Sequence, residues 1–418
     1  MNTNAYQIDT PENRQFLEDQ VQTLLDFGHR FPSPGGGSYW LDADGAPCTE
    51  RNRETWITSR MIHVYSLGTL LGHPGSEELV DAGLKGLTGE LRDAEHGGWY
   101  AGVSADGVPY GPKQCYAHAF VMLAASSAML AGRPGAEQLL QEAEAVFDQY
   151  YWDEEIGLSV DTWDIAFQTL DSYRGLNANM HTVEAFLAIA DASGDAKYRV
   201  RAGRIIDHVI KWASCNDWRI PEHYRSDWST DLSCSEDRKD DPFKPYGATP
   251  GHGIEWARLI TQWALSVYGG KDRDDAEPTL RRYIRSAESL YRQAVQDAWN
   301  ADGGPGIVYT TDWDGNPVVH DRMHWTLAEA INTSAVLYHV TEKAEYAQDY
   351  AQFLQYLDET VADHENGSWY HQLDARGNVM DTVWPGKCDL YHALQSMLIP
   401  RCRPVRSIAA AVKGQEYL

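Results

Sequence analysis

The chain has 418 residues, 43% of them apolar, and no stretch rich enough in Gly, Ser or Pro to serve as a linker. With 61 acidic against 35 basic residues its formal charge is −26, which repels phosphate backbones and anionic lipid and argues against nucleic acid or membrane as partners. The longest nearly apolar run, 119–131, is too short to span a bilayer, the N-terminus lacks a basic-then-hydrophobic leader, and the six cysteines (48, 115, 215, 234, 388, 402) form no CxxC pair, so a soluble cytoplasmic chain with reduced thiols is expected.

A glycine-aromatic signal recurs roughly every 60 residues, at 35–40, 97–100, 157–160, 218–221, 306–309 and 367–370. Several copies continue into Asp106-Gly107, Asp314-Gly315 or Gly377-Asn378, which is hairpin chemistry. Before each copy the apolar residues follow a helical period with one wet face. Leu17, Val21 and Leu24 mark the first such helix, then Val80, Leu84 and Leu87, then Leu139, Leu140 and Ala143. Tyr198, Ala202 and Ile205 follow, then Tyr283, Ala287 and Tyr291, then Tyr346, Tyr350 and Phe353.

After each copy a helix begins that is apolar nearly all round, near Arg53, Lys113, Asn177, Thr249, Arg322 and Lys387. Helices buried on most faces, alternating with helices wet on one face, predict an inner ring of six inside an outer ring of six, an all-α (α/α)6 barrel formed by a single domain over 1–418. Its inner-helix starts and hairpins would share one mouth. Residues 222–248, with His223, Trp228, Asp240, Asp241, Phe243 and Tyr246, form an insertion expected to cover that mouth as a lid. Beyond Pro400 the pattern fades, and the tail is expected to pack on the outside.

The fourth inner helix has the most legible start. Thr249 can cap it through its hydroxyl, Pro250 suits the first position, and His252 and Glu255 follow at i, i+3 on one face. Equivalent first turns offer Trp56 and Arg60, Tyr116 and His118, Asn177 and His181, Arg322 and Trp325, and Cys388 and His392. Each buried imidazole needs partners for two ring nitrogens, so packing alone does not account for histidines recurring at equivalent places. The surplus of 15 Trp and 23 Tyr also suits stacking on sugars.

Three chemistries could use this cluster. His181-x-x-Glu184 and His252-x-x-Glu255 have metal-ligand spacing, but no HExxH accompanies them. Glycoside hydrolysis needs two opposed carboxylates, for which Glu255, Asp161, Asp164 and Glu222 are the candidates. Proton transfer beside a carbonyl fits best: His392 as base and His252 to open the sugar ring, with Arg60, Asn177 and His181 stabilising an enediolate. Glu255 would orient His252 or a sugar hydroxyl, and Trp56, Tyr116 and Trp325 would wall the site. His63 reads as packing. A sugar-binding module without catalysis is the alternative from another class.

The motifs at 60–65 (RMIHVY), 177–185 (NANMHTVEA), 245–256 (PYGATPGHGIEW) and 389–395 (DLYHALQ) together resemble the N-acylglucosamine 2-epimerase superfamily over nearly the whole chain. Within it the chain is most similar to the aldose-ketose isomerases acting on mannose or sulfoquinovose. That resemblance implies an (α/α)6 barrel working without metal or nucleotide cofactor, with catalytic histidines at His181, His252 and His392 and a substrate-contacting arginine at Arg60. It also places substrate contacts at His371 and Cys388, where sulfoquinovose-type members carry Gln, and at Pro242, near which they carry Arg. These departures favour interconversion of mannose, or related aldoses such as lyxose, with the ketose. Sulfoquinovose isomerisation, with Lys244 supplying charge, and 2-epimerisation of mannose or an N-acylglucosamine are the alternatives. The oligomeric state, monomer or small homo-oligomer, is open.

Overall fold

A computed structural model describes residues 3–241, 244–270 and 276–418. The predicted alternation of helices holds throughout. The outer helices are α1 (Pro11–Gly28), α3 (Ser76–Thr88), α5 (Ala136–Tyr150), α7 (Lys197–Ser214), α9 (Ala276–Ala298) and α11 (Ala344–Tyr356), the last extended by a π-helical turn at Leu357–Val361. The inner helices are α2 (Thr55–Leu71), α4 (Cys115–Leu130), α6 (Leu176–Ser193), α8 (Pro250–Tyr268), α10 (His324–Thr341) and α12 (Tyr391–Leu398). Successive inner helices pack side by side, and α12 returns to α2 to close the ring, while α3, α5, α7, α9 and α11 each lie against the preceding inner helix and α1 lies against α12. The apolar run at 119–131 belongs to buried α4, and no described helix is long and apolar enough to cross a membrane.

Backbone bonds around the mouth hold the six units in register. Thr55 N–H donates to Ala101 O (3.0 Å), Cys115 N–H to Asp161 O (2.7 Å), Leu176 N–H to Glu222 O (3.2 Å) and His324 N–H to His371 O (3.0 Å). In the fourth unit the helix begins with Pro250, which has no N–H, and the link moves to a reciprocal pair between Ala248 and Thr311. Lys387 N–H donates to Leu41 O (3.0 Å), so the sixth unit closes on the first. A cation just before several inner helices also clamps the neighbouring turn: Lys113 on Asp93 (2.8 Å), Lys387 on Asp363 (2.5 Å), Arg322 on Asp302 (2.6 Å) and Arg53 on Glu90 (2.6 Å).

Several expectations need correction. Thr249 makes no side-chain cap; only its carbonyl accepts, from His252 N–H (2.9 Å). The sixth inner helix begins at Tyr391, so Cys388 lies in the extended approach to α12 and not in its first turn. The tail does not lie outside the barrel: α13 (Ile408–Lys413) is almost wholly buried and plugs the end opposite the mouth, against α2, α4 and α6, because its apolar Ile408, Ala409, Ala411 and Val412 cover the ends of those helices. Within the insertion, Trp228 stacks on Trp212 and Trp313 donates its indole N–H to Leu232 O (2.7 Å), which seats the segment on the neighbouring hairpin. Pro242 and Phe243 lie outside the described residues.

Candidate active site

The first turns of the inner helices bring together Trp56, Arg60, Tyr116, His181, His252, Glu255, Trp325 and His392. Trp325 stands between the two outermost histidines, its ring 5.0 Å from His252 and 5.7 Å from His392. Each is held by a carboxylate through Nδ1: His252 by Glu222 Oε2 (3.0 Å) and His392 by Glu329 Oε1 (3.0 Å). Among the described residues no partner meets Nε2 of either ring. An ionised carboxylate accepts from Nδ1–H, which fixes that tautomer and leaves the Nε2 lone pair for substrate.

Glu222, and not Glu255, therefore orients His252. Glu255 lies deeper, its ligand oxygen within 4.8 Å of both a His181–Glu184 pair and a Glu329–His392 pair. Burial, then the neighbouring Glu329, pushes its carboxyl well above the usual range. Its Oε2 lacks any hydrogen-bond partner. Burial would raise Glu329 too, but Arg258 and His392 hold it ionised. His181 is packed by Tyr116 and Phe120, and burial lowers its pKa to about 4; its Nδ1 is 3.6 Å from Glu184, too long for a hydrogen bond. It is neutral.

Arg60 supplies the positive charge. It pairs with buried Asp389, donates to Tyr116 Oη (2.8 Å) and lies over the rings of Trp56, Phe120 and Tyr391. Burial alone would raise Asp389, yet Arg60 and then His392 hold it down to about 2. Trp56 continues the wall into Trp384 and Trp40. Cys388 is buried and its thiol is pushed up by burial, so it stays uncharged. His371 stacks on His324, centroids 4.0 Å apart, and its ring nitrogens reach no partner of good geometry.

Asn177, in the first turn of α6, has an exposed side chain with no hydrogen-bond partner among the described residues. Two expected members are not drawn in. His118 turns outward, its Nε2 accepting from Trp99 N–H (3.1 Å) and its Nδ1 meeting Gln114 O (2.7 Å), a satisfied core histidine. Arg322 is spent on Asp302 and Pro305 O. Of the glycosidase candidates, Asp161 accepts from Gly175 N–H (2.7 Å) and Asp164 from its own turn, so neither opposes Glu255 as a free carboxylate. Sequence reasoning missed Glu329, Arg258, Asp389 and His324 as site members. Charged residues inside helices otherwise apolar all round were the available signal.

Two groups, His181–Glu184–Glu255 and Glu255–Glu329–His392, have ligand atoms close enough for a metal. The Arg258 guanidinium already occupies their carboxylates, bonded to Glu329 (2.8 Å) and 3.5 and 4.0 Å from Glu255 and Glu184, and its fixed charge opposes a cation there. His63 sits on the far side of this layer with Nδ1 against Ser127 Oγ (2.7 Å), as packing requires.

An α/α barrel with two carboxylate-held histidines at one mouth has the groups that proton transfer on a small polar substrate requires. The chain belongs to the N-acylglucosamine 2-epimerase (GlcNAc 2-epimerase) family, whose model matches residues 36–396. It is 41% identical to a D-mannose isomerase of Thermobifida fusca over 403 residues, 96% of this chain and 97% of that one. It is 38% identical to a D-mannose isomerase of Pseudomonas cannabina pv. alisalensis, over 97% and 96% of the two chains. A crystal structure of a D-mannose isomerase superposes with a TM-score of 0.84 at 25% identity, covering 92% of this chain and 97% of that one.

Proposed function

We propose that the chain is an aldose-ketose isomerase that interconverts D-mannose and D-fructose by proton transfer through an enediolate, without a metal or organic cofactor. The observation that carries this is the pair of imidazoles flanking Trp325, each with Nδ1 fixed by a carboxylate. Full-length relatives named D-mannose isomerase support the substrate. In this reading His252 assists ring opening. His392 then takes the C2 proton and returns it to C1, while the hydroxyl proton on O2 passes to O1, so that aldose and ketose balance without loss of atoms. Arg60 stabilises the developing negative charge, and Glu255 and neutral His181 add hydrogen bonds. Trp56, Tyr116 and Trp325 wall the sugar, His371 and Cys388 serve its far end, and the insertion at 222–248 covers the mouth.

The test is product analysis in deuterated water on mannose, glucose, lyxose, sulfoquinovose and N-acetylglucosamine. Fructose from mannose as the main early product, surviving exhaustive chelation, is expected. Glucose as the main early product would make the chain an epimerase, faster turnover of sulfoquinovose would change the substrate, and mannose binding with no label at C2 would make it a binding protein.

A further inference from the structure

Arg258 on α8 is 2% exposed and lies among carboxylates from three inner helices. Its Nε donates to Glu329 Oε2 (2.8 Å), and the other oxygen of Glu329 holds His392 Nδ1 (3.0 Å). A terminal guanidinium nitrogen lies 3.5 Å from Glu255 and 4.0 Å from Glu184. Glu184 in turn accepts from Tyr391 and from Gln395 Nε2 (3.2 Å). One guanidinium thus faces three carboxylates in a water-poor core.

Resting on the isomerase reading of this site, we propose that Arg258 is a positioning residue: it keeps the Glu329 carboxylate ionised and aimed at His392 Nδ1, so that Nε2 of His392 is the proton-accepting nitrogen. Without the guanidinium, Glu329 would face Glu255 and Glu184 with no countercharge and would take up a proton. A protonated Glu329 can donate to Nδ1 and turn the ring to the other tautomer, with Nε2 carrying hydrogen and unable to act as base. The groups facing Glu329 directly are Arg258 and Glu255 on α8 and His392 on α12, while Glu184 and His181 on α6, Tyr391 on α12 and Arg60 on α2 surround Glu255 and Arg258 one step further out. Arg258 makes the direct bond that favours its ionised form, and His392 supports it from the other oxygen.

A small cavity of about 30 Å3 beneath this layer, lined by Arg258 itself and by His63, Ser127 and Gln395, gives a route for testing. Arg258→Ala would join its own vacated volume to that space. Its kcat on mannose should fall about 100-fold or more with KM within about threefold, the pattern of lost positioning. Millimolar guanidinium, well below denaturing concentrations, should restore at least about tenfold of the loss, whereas equal urea should not. The acidic limb of the kcat/KM profile should move to higher pH, because Glu329 must again be ionised. In 15N spectra, His392 should carry hydrogen on Nδ1 in the parent enzyme and on Nε2 in the variant. If Arg258→Ala folds poorly, Arg258→Lys carries the test, with a smaller shift of the limb in the same direction.

Retained kcat in Arg258→Ala overturns the proposal, as does equal rescue by urea and guanidinium. An unmoved acidic limb in either variant, or an unchanged His392 tautomer, also overturns it. The spectra do not depend on turnover, so a parent chain inactive on every sugar would refute the functional reading while leaving this one separately decided.

Discussion

His252 and His392 are equivalent in kind but not in surroundings: Glu222 reaches His252 from a hairpin, whereas Glu329 reaches His392 from the neighbouring inner helix. Glu222→Gln keeps the shape and removes the acceptor charge, so kcat should fall by roughly 100-fold or more, as for a mis-set general acid-base group. Steady-state kinetics on mannose checks this, and a fall under threefold would detach Glu222 from the chemistry. His118 and His63 make the opposite case, because both are satisfied or packed away from the mouth. His118→Ala and His63→Ala should lower the denaturant midpoint while leaving kcat/KM of the folded enzyme within about threefold. His181, His252 and His392 were legible because they recur at helix starts. Their partners were not, since Glu222–His252 and Glu329–His392 are contacts between elements 30 and 63 residues apart in the chain. Arg258, three residues after Glu255, was visible only as a charge with no stated purpose.

The alternation of wet-sided and buried helices was legible because apolar periodicity reports burial directly. The ring of bonds from inner-helix starts to neighbouring hairpins left no side-chain signature, because both donor and acceptor belong to the backbone. Pro250 shows the cost of reading such a start locally: it suits a first helical position, yet it also displaces the link that other units make there. The cation clamps are what side chains add to this ring. Lys113 and Asp93 are both fully buried, so Lys113→Met leaves a buried carboxylate without its cation, facing the Glu95 and His96 N–H groups and the half-buried His96 imidazole (3.3 Å). A loss of about 3–5 kcal/mol is expected on breaking such a pair. Arg53→Met should cost under about 1 kcal/mol, since its partner Glu90 is 44% exposed and can turn to water. Urea melts of the two variants compare these directly, and equal costs would refute the clamp reading.

At the scale of the whole barrel, the six inner helices point their N-termini at the mouth and their C-termini at the end plugged by α13. That orientation puts partial positive charge where an enediolate would form. It also places many titratable groups in a dry interior, so stability should depend steeply on acidity. Burial lowers His63, His181 and His324 to about 4, His118 to about 3 and His371 well below its ordinary value. Each depressed histidine contributes stability present above the unfolded pKa of about 6.5 and lost as pH falls toward its folded value, because the unfolded chain binds the proton first. Asp161, raised by burial to about 7, and Glu255, raised well above the carboxylate range, act in the opposite sense, since there the folded chain keeps a proton the unfolded one has lost. Near pH 5.5 the depressed histidines outnumber the raised acids, so unfolding takes up protons on balance and stability falls with acidification. Below about 4 the carboxylates held low by cations join in, Asp389 to about 2 and Asp93 and Asp363 further still, each losing its contribution as pH falls through its folded value. The urea midpoint should therefore drop from pH 6 to pH 5. A midpoint that holds steady or rises over that interval would show that the buried acids outweigh the histidines, and that the interior of the mouth is better solvated than its packing implies.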